Sequence, residues 1–296
     1  MSRQRMNKSL FLGVTITALI IGSLILYFYK SQVGVRETPA LEAVPDDAAL
    51  VFELNDISQG WANLYNSPFW NELKQSADFH EFSNRLVVYD SLVFNNPDFR
   101  KVLKNFKLFF SIHPNTTGKL SYLFVVELGG DVDLKYMDEW LTKQSNSGNT
   151  VSIRSFNKIK IHELLNASRK SLLHYTVHDG LLIFSETGVL VDDALRKMIS
   201  GTPEQKKKFE AVRSLATPNV EANVYINYAA LPSFFYCFSN KQQPRLFSFL
   251  SDFAQTSALD IRLQPNGALL TGVTNTGDST VSYLDLFGRQ LPQPNT

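Results

Sequence analysis

Residues 107–128 read KLFFSIHPNTTGKLSYLFVVEL, and this stretch decides the fold class. Two apolar, β-branched and aromatic runs, 107–113 and 120–128, flank a polar turn from Pro114 to Lys119. Strand-forming runs separated by a Pro-Asn turn predict an antiparallel hairpin. Gly129 and Gly130 end it, and Asp133 is placed to cap a helix bearing Met137, Trp140 and Leu141. Upstream, Ala48 to Leu54 predicts a buried strand. Helical spacing follows it, with Trp61, Leu64 and Tyr65, then Phe69, Trp70 and Leu73, then Phe82, Leu86, Tyr89 and Val93. Ser67-Pro68 marks the second helix start, a capping hydroxyl before a proline.

Downstream, residues 150–185 predict three or four more strands turning at Asn157 and at Asp179-Gly180. Helices are expected at 188–200 and 203–215, the second opened by a Thr202-to-Gln205 capping box. The last third repeats the order of the first: a strand at 224–228, a helix at 231–238, a second helix with Leu246, Phe249, Leu250 and Phe253, then a hairpin at 258–262 and 268–273. Both hairpins carry a Pro-Asn pair in the turn, Pro114-Asn115 and Pro265-Asn266. The expectation is an α+β fold with a mixed or antiparallel sheet and helices packed on it. The order suggests an internal duplication of 48–145 and 220–288 whose strands share one sheet.

Before this domain, residues 9–29 contain no charge and are bounded by Lys8 and Lys30. At ~1.5 Å per residue a helix over that stretch spans about 31 Å, matching a hydrocarbon core of roughly 30 Å. Arg3, Arg5 and Lys8 precede it, while Glu37, Glu42, Asp46 and Asp47 follow. The positive-inside rule then puts residues 1–8 in the cytoplasm and the rest outside. A cleaved signal peptide is the rival; its apolar core is shorter, and no A-x-A-like site follows Tyr29. Ala18 and Gly22 form a small-xxx-small pair through which two anchors could pack. Residues 30–47 are polar, with Pro39 and Pro45, and read as a tether to a domain over 48–296.

Composition narrows the function. Lys plus Arg is 29 against 28 for Asp plus Glu, a net charge of +1, which gives no electrostatic ground for a nucleic-acid partner. Lys206, Lys207 and Lys208 read as a solvated helix face. Cys237 is the single cysteine, so the core alone must hold the fold, and between Tyr236 and Phe238 it reads as a small hydrophobe.

Catalytic and cofactor motifs do not assemble. Of the five histidines only His174 and His178 are close in sequence; on a strand they share a face but stand roughly 13 Å apart, too far for one ion. Ser155 and Lys158 match S-x-x-K but lie between strand-like segments without a K-T-G. G-x-S-x-G and phosphate-loop patterns are absent, and the aspartates at 131 and 133 fail the calcium-loop pattern. No catalytic residue, metal ligand or cofactor is therefore assigned. Two aromatic groups stand out instead: Trp61, Tyr65, Phe69 and Trp70, and Phe234, Phe235, Tyr236 and Phe238. Core packing is the ordinary use of such rings. The alternative is a hydrophobic groove for lipid or a partner, since 234–237 cannot all face inward on one helix.

The passage Val44-Pro45-Asp46-Asp47-Ala48-Ala49-Leu50-Val51-Phe52-Glu53-Leu54, soon after an anchor, resembles a family of N-terminally membrane-anchored bacterial envelope proteins whose domain has no known function. Ser111-Ile112-His113 and the stretch 175–185 are similar to it as well. The resemblance implies an envelope location and carries over no catalytic residue. The expected function is binding or scaffolding at the membrane, with an envelope protein as partner. A carrier or sensor of a lipid-like ligand is the alternative, and an enzyme with an unrecognised site comes third.

Overall fold

The computed structural model describes residues 39–55, 60, 62–63, 65–76, 79–90, 106–128, 139, 148–206, 208–217, 220, 222–239, 246–264, 267–277 and 282–285. The expected span at 9–29, the helix after Asp133 and the Pro265-Asn266 turn lie outside the described residues. Among the described residues no helix is long and apolar enough to cross a membrane.

Ten strands form one antiparallel sheet. In chain order they are β1 (Leu50–Leu54), β2 (Lys107–Pro114), β3 (Leu120–Glu127), β4 (Thr150–Phe156), β5 (Ile159–Leu165), β6 (Ser171–His178), β7 (Leu181–Ser185), β8 (Ala222–Asn227), β9 (Thr256–Gln264) and β10 (Gly267–Asn275). Their spatial order is β10-β9-β8-β1-β2-β3-β7-β6-β5-β4. With helices on it the fold is α+β, and the sheet is antiparallel throughout.

The turns are made by the residues that tolerate them. Asn157 and Lys158 take φ of 46° and 69° between β4 and β5, and Asp179 and Gly180 take 49° and 75° between β6 and β7. Paired left-handed residues give the tight turn whose twist suits a two-residue hairpin. Between β2 and β3, Asn115 Oδ1 accepts from the Thr117 and Lys119 backbone N–H groups at 3.0 and 2.9 Å.

Helices cover both faces. They are α1 (Pro39–Ala43), α2 (Pro68–Gln75), α3 (His80–Tyr89), α4 (Gly188–Ser200), α5 (Pro203–Lys206), α6 (Glu210–Arg213) and α7 (Leu231–Tyr236). Ser67 caps α2 as its sequence predicts, its Oγ accepting from the Trp70 N–H at 3.0 Å. The capping box is reciprocal: Thr202 N–H donates to Gln205 Oε1 at 2.9 Å and Gln205 N–H to Thr202 Oγ1 at 3.3 Å. The helix expected over 203–215 is broken into α5 and α6, however, because Phe209 turns in to the core between them.

One face carries the even residues of β1 and is apolar. A single row of paired positions runs Phe52, Phe110, Phe124, Phe184, Tyr175 and His162 across six neighbouring strands. Ring centroids along it lie 5.9 Å apart for Phe52 and Phe110, 4.8 Å for Phe110 and Phe124, and 4.8 Å for Phe124 and Phe184. Stacked cross-strand rings add about 0.5–1.5 kcal/mol each beyond area burial. Trp70 from α2, Leu86 from α3 and Phe234 from α7 pack on this face. The opposite face carries Val51, Phe109, Val125 and Ile183 under α1, α4 and α6.

Residues 40–44 correct the expected tether. Ala40, Leu41, Ala43 and Val44 are buried against the second face, so the domain begins at about residue 40. Four of the five residues at 40–44, Ala-Leu-Glu-Ala-Val, are apolar, but the run is too short to stand out among the polar residues on either side. β1 and β8, the fourth and third strands from the β10 edge, pair antiparallel, and from this pair the order reads the same way in both directions: β1-β2-β3 one way and β8-β9-β10 the other. The expected sharing of one sheet by strands of 48–145 and 220–288 is met in this order.

Candidate functional site

The second face is not purely apolar, and its polar residues gather into three clusters. The first joins Ser111, His113 and Asp47. Ser111 Oγ lies 2.9 Å from His113 Nε2, and His113 Nδ1 lies 2.8 Å from Asp47 Oδ1. Burial would raise the Asp47 carboxyl, but the His113 hydrogen bond and charge outweigh it and hold the group below its ordinary value. Serine, imidazole and carboxylate in this order are the parts of an acyl-transfer relay. Access decides against that chemistry. Ser111 sits in mid-strand between paired β1 and β3, with both Ser111 and His113 buried. An acyl group has no approach to Oγ, and no turn lifts the serine out of the sheet.

The same cluster fastens the chain entering the domain. Lys197 Nζ donates to Val44 O at 2.7 Å and pairs with Asp46 at 2.8 Å. Lys208 Nζ donates to Asp46 O at 2.9 Å, and Asn227 Nδ2 to Ala48 O at 2.8 Å. Lys208 is thus half-buried and engaged, not the solvated lysine that its sequence neighbours suggest; burial lowers its ammonium below the ordinary value. A cleft of about 300 Å³ opens beside it, lined by Pro45, Asp46, Asp193, Arg196, Lys197 and Gln205 among others. Its charges cancel in pairs, Lys197 with Asp46 and Arg196 with Asp193, so it presents no net charge to a ligand.

The second cluster lies under the first turn of α4. Arg154 Nε donates to Glu163 Oε1 at 2.7 Å, its NH1 to Asp192 Oδ1 at 2.6 Å and its NH2 to Gly188 O at 3.2 Å. Ser171 Oγ is 2.8 Å from His174 Nε2, but His174 Nδ1 stands 3.4 Å from Glu163 Oε1. Burial holds His174 below its ordinary pKa despite that carboxylate. Glu163, buried in part, is brought below its ordinary value by Ser152, Arg154 and His174. Gly188 closes over the ring: a Cβ there would meet His174 atoms at 3.0–3.2 Å. Arg154 therefore clamps α4 to β4 and β5, and the imidazole is the floor under the helix.

The third cluster is Glu53 with Tyr225, Lys107 and Arg213. Tyr225 O–H donates to Glu53 Oε2 at 2.5 Å, Lys107 Nζ to Oε1 at 3.2 Å, and Arg213 Nε stands 3.7 Å from Oε2. Burial and the neighbouring carboxylate push the Tyr225 hydroxyl far above its ordinary value. Opposite Lys107 on β3, burial also raises Glu127. Among the described residues no three His, Cys, Asp or Glu side chains are placed to hold one metal ion.

The aromatic residues singled out in the sequence divide between core and surface. Trp70 is 2% exposed and Tyr65 and Phe234 pack against the same cluster, so these three are core, not a groove wall. Trp61 lies outside the described residues, as does the side chain of Phe69. Phe238 is half-buried between Phe234 and Phe79, with centroids 5.2 and 5.5 Å away, and Tyr236 is half-buried beside it. Phe235 does face outward and stacks on Phe247 at 5.4 Å.

Phe235 belongs to a surface that the sequence reading missed. Leu246 is 56% and Phe249 60% exposed, in a segment that the sequence reads as a helix. The segment is a 3-10 turn, Ser248–Asp252, whose three residues per turn send Phe249 outward. Phe253 then stacks between Tyr228 at 5.7 Å and the exposed Tyr283 at 5.7 Å. Phe235, Leu246 and Phe249 are thus exposed around the Phe235–Phe247 stack, and Tyr283 is exposed beside Phe253. Comparisons with protein families, with curated proteins and with solved structures find no match for this chain.

Proposed function

We propose that this is a membrane-anchored, extracytoplasmic binding or scaffold protein of the bacterial cell envelope that does no catalysis. A single span at 9–29 holds it, the N-terminus is cytoplasmic, and the domain from about residue 40 is displayed outside, its two halves descended from one duplicated unit. The uncharged stretch at 9–29 with its basic flank supports the topology, and the like order of β1-β2-β3 and β8-β9-β10 about the β1–β8 pair supports the duplication. The envelope location rests on the resemblance of 44–54.

One observation carries the binding reading: the polar clusters that could do chemistry are closed by protein groups, while the apolar patch with Phe249 at 60% exposure is open. Aromatic side chains at a surface are favoured anchors for a protein partner. Gentle purification of the full-length chain from its native membrane, with mass spectrometry of what accompanies it, tests this. A stoichiometric protein that is lost when Phe249 becomes Ser is the expected result. A lipid that is lost with Phe249→Ser would replace the scaffold with a lipid carrier, and an empty chain would sink both.

A further inference from the structure

His174 is a buried group that the fold leaves half bonded. It stands on β6 beneath the start of α4, where a Cβ at Gly188 would meet its ring at 3.0–3.2 Å, so the helix lies directly on the imidazole. Nε2 is 2.8 Å from Ser171 Oγ, and Nδ1 is buried with no hydrogen-bond partner. The charged groups that face the ring are Arg154 from β4, Glu163 from β5 and Asp192 from α4; Ser185, its neighbour on β7, is uncharged. A neutral ring fits this enclosure. With the proton on Nε2, donated to Ser171 Oγ, Nδ1 is a bare lone pair and asks for no acceptor. A second proton breaks the fit. It arrives on Nδ1, 3.4 Å from Glu163 Oε1, an oxygen that Arg154 Nε already holds at 2.7 Å. Drawing that oxygen to the imidazolium takes it from Arg154, whose NH1 and NH2 tie the first half of α4 at Asp192 Oδ1 and Gly188 O. The second half of the helix is tied separately, by Lys197 to Val44 O and Asp46.

We propose that residues 188–195 form an acid-released flap: charging His174 lifts them from the sheet, while Lys197 keeps the rest of α4 seated. Lifting uncovers Leu190 and Val191 together with Ile161, Leu181 and Ile183 of the same buried cluster. The domain then shows in acid an apolar surface that it hides at neutral pH. α4 packs on β3, β6 and β7, but these strands are joined by their own ladders, so the opening stops at the helix. Burial holds the imidazole below its ordinary value of 6.5, against the pull of Glu163. The seated helix therefore selects the neutral ring, and the lifted helix, which lets water reach it, selects the charged one. The sign follows: the seated state is favoured above pH 6.5 and loses ground as pH falls through it. The flap is independent of what the exposed aromatic residues bind.

Hydrogen exchange of the full-length chain in mild detergent tests it, with rates corrected for the intrinsic effect of pH on amide exchange. Opening of 188–195 is expected to rise by up to about tenfold for each pH unit below 6.5. β2 and β3 stay at least about tenfold better protected throughout, and low denaturant leaves exchange of 188–195 unchanged, the mark of an opening smaller than global unfolding. His174→Gln keeps a donor for Ser171 Oγ but takes up no proton, and it is expected to hold 188–195 closed over the whole range. His174→Phe, which keeps a ring and drops the titration, does the same. Opening of 188–195 that is indifferent to pH overturns the proposal. So does exchange of this segment in step with β2 and β3, which makes the transition global, or an acid response that persists in both non-titrating variants.

Discussion

Tyr225→Phe removes one hydroxyl from the most buried ionic cluster in the sheet, and its cost follows from the geometry. Glu53 is 3% exposed and has two oxygens to satisfy. Oε1 is served by Lys107 at 3.2 Å, but that lysine side chain is 40% exposed, so solvent weakens the pair. Oε2 is served by Tyr225 at 2.5 Å, with Arg213 beyond hydrogen-bond reach at 3.7 Å. The phenol is thus the donor on which Oε2 depends. A hydrogen bond to a charged group contributes about 1.5–3 kcal/mol, and none of the loss is recovered because the oxygen stays buried. For a domain of this size that is a fall of roughly 3–12 °C in Tm. Chemical denaturation of the full chain in mild detergent gives the figure directly. There is also a pH signature. The folded hydroxyl titrates above its ordinary value of 10.0, so the fold holds a proton that the unfolded chain has released. Stability from this group is complete below pH 10.0 and declines as pH rises above it, and Tyr225→Phe abolishes that alkaline decline. A loss below about 0.5 kcal/mol, or an alkaline flank unchanged by the substitution, would refute the account.

Two further outcomes are expected. Because burial depresses His174 below its ordinary 6.5, the unfolded chain binds a proton there first, and stability declines as pH drops through 6.5 toward the folded value; His174→Gln flattens that part of the profile, which pH-dependent denaturation reads. Gly272→Ala detaches β10, since its Cβ would fall 1.9 Å from Ala258 O and 2.8 Å from Leu259 Cα, whereas Gly267→Ala meets nothing within 4 Å and is benign. Hydrogen exchange at β9 and β10 separates the two, and equal protection in both variants would count against the close approach.

Much of the fold was legible because its signals are local. Ser67 with Trp70, Thr202 with Gln205, and Asp179 with Gly180 are each decided within a few residues, and each makes the cap or turn its chemistry predicts. Strand order was not legible. Nothing in the sequence of β8 says that it inserts beside β1, because both are short apolar runs that any neighbour would satisfy. The row from Phe52 to His162 exists only once six registers are set. The exposure of Leu246 and Phe249 was not legible for a related reason. Helical spacing treats Leu246, Phe249 and Phe253 as one stripe, and a change from 3.6 to three residues per turn scatters it. Trp70 and Phe249 are both large aromatic residues, and only the packing of α2 on the sheet and the outward turn at Ser248–Asp252 make one core and the other surface.

The polar clusters are long-range for the same reason. Asp47 and His113 are 66 residues apart, Glu53 and Tyr225 172. A slip of two residues between β1 and β8 would keep every apolar side chain on an apolar face, because the strand period is two. Hydrophobicity alone therefore leaves the register of such a sheet weakly specified. The slip would, however, part Glu53 Oε2 from the Tyr225 hydroxyl and part Asn227 from the Ala48 carbonyl, leaving a carboxylate oxygen and an amide buried without those partners. Each such group costs about 1–3 kcal/mol, and the charged one more. On β6 the Thr176 hydroxyl, bonded to Lys160 O at 2.8 Å, imposes the same penalty against slippage over β5, as does Ser185, bonded to Tyr122 O at 2.6 Å, between β7 and β3. Serine, histidine and carboxylate come together on this face because Ser111, His113 and Asp47 close their hydrogen bonds only when the strands are in the correct register.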